Sequence, residues 1–446
     1  MKTKPKSAAT REVSARGVAL DLLARVLEQK RPLEEAFERH PDLPKLENRD
    51  RQFVRALTSA TLRHLGRIDR IIALCMERPL PNKARAVTDI LRLGAAQLLV
   101  LGTPAHAAVD SAVALTAQLG GAAGYKGLVN AVLRRIAGEG EALLAQVPPG
   151  VASLPDWLWA SWVWTYGEEQ AAKIAGALLD EPPLDFSVKR PAERAQWAEA
   201  LHARVMPGGS LRRAAHDPER PQRLDEAPGF AEGAWWVQDF AASLPVKLLG
   251  DLVGKRVLDL CAAPGGKTMQ LAAAGAIVTA LDRSEDRLQR LQQNLDRLGL
   301  SAECAAADAT RWDAAGDFDI VLLDAPCSST GTLRRHPDVA WLKDPRDIKK
   351  LAAAQNRLID AAVRLTRPGG TVLYCVCSLQ PEEGPERIAA ALARHESLRR
   401  APLTEAEVFG LREVLTPEGD LRTLPCHLAS EGGMDGFYAA RLVKAD

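Results

Sequence analysis

The chain has no long hydrophobic run, almost no net charge and no paired-cysteine spacing, and each lack removes a class of protein. Its most apolar stretch, "ILRLGAAQLLVLGTPAHAAV", is interrupted at Arg92 and again from Gly102 to Pro104, short of the roughly 20 apolar residues that a membrane helix needs. The N-terminus "MKTKPKSAATREVSARG" is basic but lacks the apolar core of a secretory signal, so a cytoplasmic protein with no membrane partner is expected. The seven cysteines include no C-x-x-C pair and no repeated spacing, which argues against a zinc ribbon or a disulfide scaffold. Reduced thiols and no metal site are expected.

What is present is an ordinary globular composition, 47% hydrophobic and 26% charged over 446 residues, long enough for two or three hydrophobic cores. The net charge of +1 conceals an asymmetry: residues 1–144 carry 23 Lys and Arg against 15 Asp and Glu. A basic end on a mildly acidic body is compatible with a nucleic-acid-binding module joined to an enzyme.

Three segments follow from the pattern. Residues 1–147 read as helices throughout, with Val18, Leu22 and Val26, then Val87, Leu91 and Leu98, then Leu128, Val129, Val132, Leu133 and Ile136 at helical spacing. Within "RQFVRALTSATLRHLGRIDRII", Arg63, Arg67 and Arg70 share a face, with Arg51 and Arg55 in register. That stripe would suit phosphates, although a solvated face is the commoner reason for such spacing. Prolines and a glycine in "QVPPGVASLPDW" mark a break. Residues 148–240 then read as a small α+β segment with a helix at "GEEQAAKIAGALL", a strand at "LDFSVKR" and a loop at "PGGS". Seven of the nine tryptophans fall between Trp157 and Trp236, where packing is the commoner use and base stacking the alternative. From 241 to 446, the β-rich runs "RVLDLC", "AIVTALD", "FDIVLLD" and "GTVLYCVC" alternate with helical stretches. This is the pattern of a doubly wound, mainly parallel α/β sheet, whose ligands bind beyond the carboxyl ends of the strands.

The strand ends carry chemistry. The first is followed by "DLCAAPGGKT", where Gly265 and Gly266 allow a close ligand approach beside Asp259. A phosphate loop would share Gly266, Lys267 and Thr268 but needs a glycine where Cys261 stands. The second strand ends in Asp282, placed to accept ribose hydroxyls, and Asp308 follows "SAECAAA" as an acceptor for an adenine amine. Together they describe an adenosine site. The next two strands end in "DAPCSSTGTLRRHPD" and "CVCSLQPEEG", so Asp324, Cys327 and Cys377 would meet if those strands are neighbours.

These motifs, with "GGMDGFYAARLVK" near the C-terminus, resemble those of the bacterial RNA cytosine-C5 methyltransferases. The helical segment, through "LVNAVLRRI", resembles the NusB domain, and the fusion resembles the small-subunit ribosomal RNA methyltransferase B group, also called the Sun or Fmu family. The resemblance implies a Rossmann-like class I methyltransferase domain. It implies that Cys261, Ala262, Ala263, Pro264, Gly265, Gly266, Lys267, Asp282, Arg287, Asp308 and Asp324 bind S-adenosylmethionine. It makes Cys377, directly before Ser378, the nucleophile, with Cys327 and Asp324 as further catalytic residues and Cys375 a bystander. The chain departs from the family pattern at Gly384, where an asparagine is usual.

The chemistry accounts for the thiols. C5 of cytosine is a poor nucleophile until a thiolate adds to C6, and a free thiol is only about 3% ionised at pH 7. Asp324, protonated or sharing a proton, would stabilise charge at N3, and Cys327 or a water beside it would remove the C5 proton. The expected partner is 16S ribosomal RNA, naked or in an early assembly intermediate, bound by a monomer. The rivals are transfer RNA methylation by the same chemistry, DNA cytosine methylation, which would not need Cys377, and a non-catalytic RNA-binding assembly or antitermination factor.

Overall fold

The computed structural model describes residues 13–215, 223–313 and 318–445, and the basic stretch up to residue 12 lies outside them. Two compact units are distinguished: one runs to Leu158 and includes His336–Leu342, and the other holds Trp159–Arg335 and Lys343 onward.

In the described residues of the first unit the regular structure is helical: α1 (Ala15–Leu27), α2 (Leu33–Glu38), α3 (Asn48–Arg63), α4 (Leu65–Leu74), α5 (Arg85–Leu99), α6 (Ala105–Gln118) and α7 (Lys126–Gln146). The Ser14 side chain caps α1 by accepting from Gly17 N, which satisfies a donor the first turn leaves free. Val18, Leu22, Val26, Val87, Leu91, Val129, Val132, Leu133 and Ile136 all enter one core, with Leu98 and Leu128 at its margin.

The 241–446 segment expected from sequence gives up His336–Leu342 to this unit, and the reason is local bonding. Asp338 accepts from Leu33 N at 3.0 Å, Lys30 Nζ donates to Trp341 O at 2.8 Å, and Trp341 Nε1 donates to Leu62 O at 3.0 Å.

The second unit contains two sheets. Residues 148–240, expected as a domain of their own, supply α8 (Asp156–Tyr166), α9 (Glu168–Ala177), α10 (Arg194–Ala200) and an antiparallel sheet of β1 (Leu184–Val188), β2 (Arg204–Val205), β3 (Leu211–Arg213) and β4 (Trp235–Val237), in the order β2-β3-β1-β4. That sheet has a small core around Phe186, Leu211 and Trp235, and an ion cluster ties it to the rest of the unit. Arg212, buried, pairs with Asp185 at 2.7 Å, and Arg335 reaches Asp239 at 2.6 Å and Asp435 at 3.3 Å.

After α11 (Phe240–Lys247) come β5 (Arg256–Leu260), α12 (Gly266–Ala273), β6 (Ile277–Asp282), α13 (Glu285–Leu298), β7 (Glu303–Ala306) and β8 (Phe318–Asp324). Then follow α14 (Val339–Leu342, within the first unit), α15 (Pro345–Leu365), β9 (Thr366–Val376), α16 (Pro385–Arg394), β10 (Leu398–Arg400), β11 (Leu421–Thr423) and β12 (Phe437–Lys444). The large sheet runs β10-β12-β9-β8-β5-β6-β7, with β11 beside β12. Strands β9-β8-β5-β6-β7 are parallel, and β12 joins β9 antiparallel. The chain starts at β5, proceeds outward through β6 and β7, then returns to the other side of β5 as β8. The strand order therefore switches between β5 and β8, the place at which sheets of this kind bind ligands beyond their carboxyl ends. No helix among the described residues is long and apolar enough to cross a membrane.

Candidate active site

The glycine loop between β5 and α12 is tied to the end of β6. Ala263 N donates to Asp282 Oδ2 at 3.2 Å, Ser284 N donates to Asp282 Oδ1 at 3.0 Å, and Arg287 lies 3.4 Å from the same carboxylate while donating to Ala263 O. Cys261 has φ 61°, and a cis peptide joins Ala263 to Pro264. Gly265 has φ 107°, and a Cβ there would lie 2.8 Å from Leu291 Cγ, so only glycine suits the turn. Ala307 N donates to Asp282 O at 3.1 Å, which brings the loop bearing Asp308 to the same strand end. Asp308 is exposed, and its bonds from Thr310 hold its carboxyl below the usual range.

Asp259 is wholly buried; one oxygen accepts from Thr268 Oγ1 at 2.6 Å and the other has no partner. Burial pushes its carboxyl up to about 7, against the Thr268 bond. An orphaned buried acceptor beside a glycine turn, with Asp282 and Asp308 at successive strand ends, suits a polar nucleoside ligand such as S-adenosylmethionine.

Strands β8 and β9 are parallel neighbours with Asp324 opposite Cys375, so the condition for the thiols to meet is satisfied. Cys327 Sγ lies 3.5 Å from Cys377 Sγ, and Cys377 Sγ is 3.7 Å from Ser329 Oγ. Cys375 is buried 3.6 Å from Asp324, its thiol pushed up by burial and then by that carboxylate. Lys267, carried on α12, turns to Asp324, Nζ to Oδ2 2.6 Å, and sits 4.9 Å from the centre of the Phe437 ring. Burial opposes the Lys267 charge, but Asp324 and the neighbouring thiols hold the ammonium well above its ordinary value. The hydrogen bond to Cys377, burial and nearby Glu383 push the Cys327 thiol well up. Cys327 therefore keeps its proton at neutral pH.

Sequence reasoning missed the support of these loops. Arg422 Nη1 donates to Ser378 O at 2.6 Å while lying over the Tyr438 ring. A Cβ on Gly384 would come within 2.7 Å of Arg422 Nη2 and 3.2 Å of the ring. The departure from asparagine at 384 thus has a steric account: the guanidinium occupies that space.

Helix α8 grips the next residues. Trp162 Nε1 donates to Gln380 Oε1 at 3.0 Å, Gln380 Nε2 to Ser161 Oγ at 2.9 Å, and the Tyr166 hydroxyl to Leu379 O at 2.5 Å. Trp162, Trp235 and Trp236 are buried packing groups, whereas Trp164 is 89% exposed.

The arginine stripe is partly committed elsewhere. Arg67 donates to Val147 O at 3.0 Å and Leu144 O at 3.4 Å, satisfying carbonyls at the end of α7. Arg55 pairs with Glu34 at 2.5 Å and covers the Phe37 ring. The single helical face expected for these arginines is broken, because α3 ends at Arg63 and α4 starts at Leu65: Arg51, Arg55 and Arg63 lie on one helix and Arg67 and Arg70 on the next, with Arg55 and Arg67 engaged as above and Arg51 and Arg70 exposed.

Residues 247–443 match the family model described as 16S rRNA methyltransferase RsmB/F, and residues 13–138 match the NusB family. A ribosomal RNA small subunit methyltransferase B of Pseudomonas putida is 39% identical over 97% of this chain and 99% of its own. The protein of that name from Cronobacter sakazakii is 34% identical over the same shares. Among solved structures, PH0851 superposes with TM-score 0.71 at 22% identity, covering 97% of this chain and 99% of that one. A methyltransferase homologue from Pyrococcus horikoshii gives 0.53 at 25% identity over 65% and 95%. With this similarity along nearly its full length, the chain belongs to the ribosomal RNA small subunit methyltransferase B family, a family of S-adenosylmethionine-dependent methyltransferases.

Proposed function

We propose that the protein methylates C5 of a cytosine in 16S ribosomal RNA through a covalent adduct between Cys377 and C6. The observation that carries this is the pair of thiols on adjacent strand ends, 3.5 Å apart, beside a lysine–aspartate ion pair. The description of the matching family model supports 16S RNA as substrate, and the names of the relatives support small-subunit ribosomal RNA. Cys261 to Lys267, Asp282, Arg287 and Asp308 would hold S-adenosylmethionine, which supplies a methyl group on a sulfonium.

The Cys377 sulfur adds its electron pair to C6, and the electrons of the C5–C6 double bond are drawn through C4 toward N3. Asp324, with the Lys267 ammonium donating to it at 2.6 Å, would stand where charge develops at N3, and that ammonium is the source of a proton for it. C5, now an enamine carbon, would take the methyl group as its bond to the sulfonium breaks with the pair left on sulfur, and N3 would then return its proton. A base then takes the C5 proton, the C5–C6 double bond re-forms, and the Cys377 sulfur leaves with its bonding pair. The proton taken from C5 is the one released per turnover: it passes to water beside Cys327, or to Cys327 itself once that thiol has given its resting proton to solvent, and Cys377 departs as the thiolate that attacked.

The target base must be unstacked, which costs a few kcal/mol in a helix and less in a loop, and the first unit and residues 148–240 would hold the flanking RNA. We take the working form to be a cytoplasmic monomer.

The test is an RNA–protein adduct that survives denaturing electrophoresis. Cys377→Ala should form none and should not methylate, whereas Cys327→Ala should attack, methylate and stall with the base on Cys377. An adduct from Cys377→Ala and none from Cys327→Ala reverses the two roles. Methylation of transfer RNA but not 16S RNA by the wild-type protein would replace the substrate.

A further inference from the structure

The two thiol-bearing loops share one buried carboxylate. Glu383 accepts from Ser328 N at 2.9 and 3.2 Å through its two oxygens, from the Ser328 hydroxyl, and from the Ser378 hydroxyl at 2.6 Å, while Gln355 Nε2 donates to it at 3.1 Å. Ser328 directly follows Cys327 and Ser378 directly follows Cys377. Thr330 completes the knot: its Oγ1 accepts from Leu379 N at 3.0 Å and lies 3.3 Å from both serine hydroxyls. Ser328, Thr330, Ser378 and Glu383 are each 0% exposed.

These donors are neutral, so the carboxylate is buried without a charge to offset its lost hydration, an arrangement that costs stability. Burial pushes the Glu383 carboxyl up, and its bonds from the serines and Gln355 act against that. An apolar side chain would pack the same volume more cheaply. What an apolar side chain cannot do is bind, at one point, the residue next to each thiol in the loops that follow two different strands.

We propose that Glu383 is a positioning residue that sets the separation and aim of the Cys327 and Cys377 thiols by clamping Ser328 and Ser378. The role of the thiols rests on the function proposed above; the clamp does not. None of these hydrogen bonds of Glu383 reaches a thiol; beside its charge near Cys327 it acts through the two loops, and its loss moves the thiols apart while leaving the cofactor loop between β5 and α12 in place.

The experiment uses the full chain with Glu383→Gln, similar in size but with one acceptor replaced by a donor facing the serines. Equilibration with oxidised and reduced glutathione, read by peptide mapping of a Cys327–Cys377 disulfide, measures how closely the thiols are held, independently of methylation. The variant should lower that effective concentration about tenfold or more, the scale of one lost bond to a charged group. Turnover on 16S RNA should fall by a similar factor, with KM for RNA and calorimetric affinity for S-adenosylmethionine unchanged. Ser378→Ala, which removes one arm, should give a smaller loss in both and serves if Glu383→Gln does not fold.

An unchanged effective concentration in a folded variant overturns the clamp, as does a wild-type protein that forms no Cys327–Cys377 disulfide. A merely structural role would instead lower cofactor affinity along with turnover. If wild-type protein methylates no ribosomal RNA, the functional reading fails and the glutathione measurement still decides the clamp.

Discussion

Replacing Asp259 with asparagine tests whether the fold keeps a buried acid at the expense of stability. Asp259 has no exposed surface, one oxygen bonded to Thr268 and one without a partner. Burial raises its carboxyl to about 7, whereas in the unfolded chain it titrates near about 3.9. An acid with a raised folded pKa binds its proton more tightly when folded. Stability is therefore intact below pH of about 4, falls as pH rises from about 4 to about 7, and stays reduced above that.

Three units at 1.36 kcal/mol each amount to about 4 kcal/mol. Asparagine keeps the volume and the acceptor for Thr268 and does not titrate, although its amide places donors near an acid-shaped site, at a cost of about 1 kcal/mol. Asp259→Asn should therefore exceed wild type by about 3 kcal/mol at pH 8, and by much less at pH 5. Urea unfolding read by tryptophan fluorescence follows the relevant unit, since seven of the nine tryptophans lie in it. The same variant should bind S-adenosylmethionine more weakly. A variant no more stable than wild type at pH 8, or an advantage that does not grow between pH 5 and pH 8, refutes the reasoning.

Asp282→Ala removes the acceptor of Ala263 N and Ser284 N and should weaken S-adenosylmethionine binding by about 1.5–3 kcal/mol; unchanged calorimetric affinity would take Asp282 out of the site. Asp185→Ala leaves the buried Arg212 without its carboxylate and should cost about 3–5 kcal/mol in denaturant unfolding, so a loss below about 1 kcal/mol would show that water or a shifted side chain replaces it. Gly384→Asn should displace Arg422 from Ser378 O and slow turnover, and Arg422→Ala should do the same, the double variant being no worse than either single one; wild-type turnover in Gly384→Asn would show that the guanidinium moves aside without consequence. Arg67→Ala should lower the melting temperature of the first unit, because two carbonyls at the end of α7 lose their donor, while RNA affinity and its salt slope hold; the reverse pattern would return Arg67 to a phosphate-gripping role.

The alternation of apolar runs with helical stretches was sufficient to place the parallel strands and the glycine turn, because period and turn chemistry are local properties. It also placed Asp282, Asp324, Cys327 and Cys377 at strand ends, since each closes an apolar run in the chain itself. The helical first unit was legible for the same reason, through core positions such as Val18, Leu91 and Val132. Local pattern does not report direction. Glu383 stands within the quoted "CSLQPEEG", yet nothing in that string tells which of two adjacent glutamates turns inward; Glu383 is buried and Glu382 is not.

Chain sequence determined which residue types arrive at the carboxyl edge of the sheet, because a strand of period two followed by a turn delivers its last side chain there whatever the rest of the protein does. Tertiary structure decided which of them meet. The pairing of β8 with β9, strands more than 40 residues apart, puts Cys327 against Cys377, and the pairing of β5 with β8 brings Lys267 to Asp324. The same holds for Arg67, whose helical spacing suits a phosphate grip but whose partners are carbonyls 77 and 80 residues onward. It holds too for His336–Leu342, which follow the Cys327 loop in sequence and pack with the helical unit because Asp338 and Trp341 find their bonding partners there. Long-range bonds of this kind depend on where distant backbone groups are left unsatisfied, a property that exists only once the chain has folded.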